Sequence, residues 1–133
     1  MPTIRRAECS CGRLSAECAG EPVRVSICHC LACQRRTGSA FGVQARFTRA
    51  QVTVGGESRT YTRAGDEGTK VDFHFCGDCG ATVYYELEVL PGFVVVPVGA
   101  FADPSFPAPG VAVYEARRHG WAVSPALEVE HYD

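Results

Sequence analysis

The chain has 133 residues, 46% of them apolar, with a formal charge of −2 and a pI near 6.1. That length suits one domain able to bury a core without disulfides, and the charge offers no polycation to a nucleic-acid backbone. No apolar run approaches the ~18 residues of a membrane helix, and no secretory signal opens the chain; we expect a cytoplasmic protein whose eight cysteines are metal ligands or core rather than disulfides.

In chain order, the first feature is the knuckle-like Cys9-x-Cys11-Gly12. Leu14, Ala16 and Cys18 then alternate with polar residues as in a half-buried strand, which makes Cys18 a small core hydrophobe. Val23, Val25 and Ile27 form a second alternating run that ends in Cys28-His29-Cys30-Leu31-Ala32-Cys33. Leu31 to Thr37 is the one stretch that reads as helix, and Gly38 can end it from the left-handed conformation. Phe41, Val43, Ala45 and Phe47 continue the strand pattern, followed by turn signals at Gly55-Gly56 and Gly65 to Gly68.

Val71, Phe73 and Phe75 alternate with Asp72 and His74, so His74 falls on the opposite face. The second knuckle, Cys76-x-x-Cys79-Gly80, comes next. Val83 to Leu87, Phe93 to Val96 and Val111 to Tyr114 are further strands, with turn signals at Pro91-Gly92 and from Asp103 to Gly110. Pro97 places the end of its run on an edge or bulge, because it cannot donate to a ladder. The reading is an all-β domain of short antiparallel strands, with metal clusters where strands meet loops.

Clustered thiols one or two residues apart share a metal ion more readily than they bridge. Seven clustered cysteines divide into four plus three. Cys9, Cys11, Cys76 and Cys79 can close a tetrahedral structural zinc site, with backbone amides donating to the sulfurs and Gly12 and Gly80 at positive φ. Joining them would pin the amino-terminal hairpin to the centre of the domain. Cys28, Cys30 and Cys33 leave one corner open, as a catalytic zinc does, where an incoming thiol would be deprotonated. The alternative is a structural site completed by a distant histidine such as His74 or His119.

His29, between two ligands, points away; His119 and His131 are surface residues; Trp121 is a packed core or lid residue. Arg35 and Arg36 directly follow Cys33 and are either solvated or substrate-binding residues that hold an anion beside the open site. A rubredoxin-type iron site fits the Cys-x-Cys pair poorly.

The cysteine order, with Cys28-His29-Cys30-x-x-Cys33, Thr37-Gly38-Ser39-Ala40-Phe41, Phe75-Cys76-x-x-Cys79-Gly80, Gly99-Ala100-Phe101-x-Asp103 and Trp121, resembles the glutathione-dependent formaldehyde-activating enzyme family, which includes centromere-protein-V relatives. The resemblance runs from Cys9 to about Val123. It implies a small Mss4-like all-β fold, a structural zinc on Cys9, Cys11, Cys76 and Cys79, and a catalytic zinc on Cys28, Cys30 and Cys33. It also implies carbon–sulfur lyase chemistry of the S-hydroxymethylglutathione type.

The expected organisation is a zinc-binding domain over residues 5–125 and a carboxy-terminal tail over 126–133. The expected function is a zinc-dependent carbon–sulfur lyase acting on a small thiol adduct, with two zinc ions and neither nucleic acid nor membrane as partner. The alternative is a non-catalytic zinc scaffold of the same fold. No general base stands out in the sequence.

Overall fold

The computed structural model describes residues 2–65, 68–122 and 130–132. Strands β1 (Ile4–Glu8) and β2 (Ser15–Ala19) form a hairpin whose loop holds the first cysteine pair. Strand β3 (Arg24–Cys28) runs into helix α1 (Leu31–Thr37), and β4 (Gly42–Thr48) returns antiparallel to β3. Strands β5 (Val52–Gly55), β6 (Arg59–Ala64), β7 (Lys70–Phe75), β8 (Thr82–Leu87), β9 (Phe93–Pro97), β10 (Val111–Val113) and β11 (Glu130–His131) follow.

Among the described residues they form two sheets, β1-β2-β5 and β11-β10-β3-β4-β9-β8-β7-β6. The all-β expectation holds, with one amendment. Pairing is antiparallel except at β10, which lies parallel to both β3 and β11. Glu130 and His131, expected in a tail, thereby join the large sheet. No helix among the described residues is long and apolar enough to cross a membrane.

The core fills the space between the sheets. Ala7, Leu14, Ala16 and Cys18 of the small sheet's side meet Val25, Ala45, Phe47, Val94 and Val96 of the large one. Cys18 is fully buried, and burial pushes its thiol up to about 12, so it is an inert core residue as expected.

The alternation of the sequence is thus real in β2, β3, β4 and β7. Missed were β1, of which only Ala7 is buried, β6, an edge strand with no buried residue, and the short β5 and β11. Neither β1 nor β6 has an apolar period to detect. Pro97 closes β9 opposite Gln44 of β4 and has no ladder partner on the β8 side, where pairing is limited to Tyr85 and Val95, so the end of the run is a local edge as expected. As a terminal residue it costs the ladder little.

Candidate metal centres and the adjoining cavity

Two hairpin loops make the first centre. The β1–β2 turn brings Cys9 and Cys11, and the β7–β8 turn brings Cys76 and Cys79; the four sulfurs all lie within 4.8 Å of one another. Cys9 and Cys11 are 3.7 Å apart and Cys11 and Cys76 3.6 Å. A tetrahedron with metal–sulfur bonds of about 2.3 Å has edges of about 3.8 Å, so the donor set fits zinc.

The turns supply the expected backbone amides. Leu14 N–H donates to Cys9 Sγ at 3.2 Å and Asp78 N–H to Cys76 Sγ at 3.4 Å. Gly12 and Gly80 both have φ of +82°, the left-handed geometry that folds each knuckle back. The amides of Ala81 and Cys11 hold the Cys79 thiol down to about 6. Arg13 bonds Asp78 at 2.7 Å across the two loops and adds positive charge beside Cys11 and Cys76.

The second centre lies at the β3–α1 junction, where the sulfurs of Cys28, Cys30 and Cys33 fall within 4.8 Å of one another. Cys28 ends β3, Cys30 caps α1 by accepting the N–H of Cys33 at 3.2 Å, and Cys33 is the helix's buried residue. Gly38 ends α1 at φ +71°, as expected. Hydrogen bonds from Cys28 and Cys33 pull the Cys30 thiol down to about 2, helped more weakly by the Cys33 amide and the charge of Arg63. The same contacts push Cys28 up. Sulfurs that compete for protons at this spacing are suited to share a cation instead.

No histidine or carboxylate completes the set among the described residues. His74 is on the other face of the sheet, with Nε2 2.8 Å from Glu86 and its ring stacked on Tyr84. His119 Nε2 meets Gln34 Oε1 at 2.9 Å, while Gln34 Nε2 donates to the His29 and Arg117 carbonyls. His29 is buried against Phe41, outside the cavity described next, and burial lowers its pKa. His119 and His131 are exposed, as expected. Of the two readings of Trp121, core or lid, the core one fails: the residue is 74% exposed and meets the edge of the His119 ring.

The three sulfurs line a cavity of about 380 Å³ on the large sheet's outer face. Ladder register shows which side chains point into it. Cys28, Ser26 and Arg24 alternate on β3, Gln44 and Arg46 stand opposite on β4, and Val95, Tyr85 and Phe73 continue the row across β9, β8 and β7. Val71, Phe73, Tyr85 and Val95 form a second buried cluster, which is the cavity floor. The apolar alternation of β7 therefore marks a binding wall rather than the inter-sheet core.

Arg24, Arg46, Arg63 and Arg117 line the cavity, with no Asp, Glu or His among the described lining residues. Arg35 is exposed on α1, and Arg36 stacks over Phe73 and Tyr85 at 5.4 Å; neither lines the cavity. Sequence reasoning missed Arg24 and Arg46 because each is the polar member of an alternating strand, Arg63 because β6 has no apolar period, and Arg117 because it lies outside the strands. A signal was present in the two-residue step Arg24, Ser26, Cys28, which ends on a metal-ligand candidate.

The comparisons agree with this geometry. A crystal structure of a Rhodobacter sphaeroides protein superposes with a TM-score of 0.58 at 18% identity, covering 96% of this chain and 99% of that one, which shows the fold. No curated protein sequence matches the chain. The model of the family described as glutathione-dependent formaldehyde-activating enzyme matches residues 4–117. The chain belongs to that family.

Proposed function

We propose that the protein is a zinc-dependent carbon–sulfur lyase that makes or breaks the bond between a small thiol and an aldehyde carbon. The observation that carries this reading is a set of three converging sulfurs at the wall of a cavity large enough for a small-molecule thiol. Cys9, Cys11, Cys76 and Cys79 would hold a structural zinc, and Cys28, Cys30 and Cys33 would hold the second. A zinc ion on three thiolates supplies one open position and lowers the pKa of a thiol bound there.

The chain's own residues then bind and orient. Phe73, Tyr85 and Val95 exclude water from the floor, and burial pushes the Tyr85 phenol above its ordinary range, so it stays a neutral wall. No carboxylate or imidazole among the described lining residues is available as a base, so the thiol proton leaves to solvent. Gln34 ties α1 to the Arg117 backbone and keeps the cavity mouth in register with the sulfurs.

The test is formaldehyde exchange with small thiols followed by NMR line shape on zinc-loaded protein. Exchange faster than in buffer, and lost in Cys33→Ser, supports the lyase; exchange equal to buffer moves the reading to a non-catalytic zinc scaffold.

A further inference from the structure

Arg24 and Arg46 are directly opposed in the β3–β4 ladder. Like charges in that relation are destabilising, and each is normally relieved by a nearby acid. Among the described residues neither guanidinium makes a hydrogen bond or ion pair, and Arg24 Nε is buried without a partner. The nearest relief for Arg46 is the Phe93 ring, 5.8 Å from its guanidinium carbon.

Arg63 enters the same cavity from β6, lies over Phe73 at 5.3 Å, and also buries an unpartnered Nε. Between the cations and the sulfurs, Gln44 donates to Ser26 Oγ at 3.1 Å while its Oε1 is buried with no donor. Buried polar atoms without partners are rare in a protein and point to groups that a ligand supplies.

Cys28 and Arg24 lie four residues apart on one strand face, roughly 13 Å at about 3.3 Å per residue. The cavity thus has a sulfur-binding end and a cationic end, joined by a neutral stretch with one free amide acceptor. Among the described lining residues there is no acid to neutralise an ammonium group.

We propose that the ligand of this cavity is an extended thiol whose far end carries a dianionic group and no ammonium, seated between Arg24 and Arg46. The shared chemistry is two negative charges, from a phosphomonoester or from a pair of carboxylates. This rests on the reading of the three-cysteine end as the thiol site. It separates the ligand from glutathione itself, whose second carboxylate is offset by an ammonium.

Two matched pairs of thiols test the idea by calorimetric titration into the zinc-loaded full chain at low ionic strength. Phosphopantetheine and pantetheine differ only by the phosphate, and N-acetylglutathione differs from glutathione in carrying a neutral acetamide in place of the ammonium. The expected result is at least fivefold tighter binding of the dianion in one pair or both. A preference in the first pair alone assigns a phosphomonoester, in the second alone a dicarboxylate, and in both a requirement for charge.

The preference should vanish in Arg24→Gln and Arg46→Gln and return in Arg46→Lys, with zinc content and circular dichroism confirming that each variant folds. A difference under fivefold in both pairs, or a preference that survives both glutamine variants, overturns the proposal. Formaldehyde exchange measured on the same samples keeps the two readings apart. Accelerated exchange without a dianion preference sinks only this proposal, and a dianion preference without exchange sinks only the lyase.

Discussion

The sulfurs of Cys11 and Cys76 lie 3.6 Å apart although 65 residues separate them in the chain. The β1–β2 and β7–β8 hairpins meet there, so an ion at this point ties the small sheet to the large one. Metal binding at such a site is folding free energy, because the unfolded chain holds no preformed tetrahedron. Cys76→Ser should therefore lose one metal ion and destabilise the whole domain by several kcal/mol. Metal analysis with thermal denaturation checks it; an unchanged Tm would show that the hairpins hold together without the ion.

Cys33→Ser should behave differently. Cys28, Cys30 and Cys33 lie within one short stretch, so a cation there closes only a small loop and adds little to fold stability. Helix α1 is also held by the Gln34 hydrogen bonds to the His29 and Arg117 carbonyls. The expected outcome is loss of one zinc and of thiol exchange with the far-ultraviolet spectrum retained. Unfolding of this variant would make the second centre structural.

Arg46→Gln should stabilise the apoprotein. It removes a like-charge cross-strand pair, worth ~0.5 kcal/mol, and so should raise Tm by about 2 °C. The gain should shrink at high salt as the repulsion is screened. A fall in Tm at low salt would mean that stacking on Phe93 outweighs the repulsion.

Two glycine substitutions separate backbone strain from steric clash. Gly80 has φ +82°, and a Cβ added there would have nothing within 4 Å, so Gly80→Ala costs only the left-handed conformation, about 1 kcal/mol. Gly56 has φ +87°, and an added methyl there would collide with the Arg13 carbonyl. Gly56→Ala must shift the backbone beside the first cysteine pair and should cost more than twice as much. Chemical denaturation of the two variants gives the comparison, and equal costs would contradict it.

What could be read in the sequence was what depends on near neighbours. Cysteine spacing marks the two pairs and the three-cysteine group, because two sulfurs one or two residues apart on a turn must face the same region; that Cys9 and Cys11 meet Cys76 and Cys79 depends on the contact of two distant hairpins. Leu31–Thr37 reads as the one α-helix because its stop at Gly38 is a local signal. Alternation located β2, β3, β4 and β7 and put His74 on the face away from Phe73.

The tertiary structure decided which face of that alternation is core and which is cavity, because a second sheet covers only one side. It also decided where the cations stand. Arg35 follows Cys33 but is left exposed on the helix, whereas Arg36 lies over the Phe73 and Tyr85 rings of the cavity floor. Arg24, Arg46 and Arg63 come from three separate strands, and only ladder register brings them to one wall. Near neighbours in sequence set which sulfurs turn together; long-range pairing set what stands opposite them.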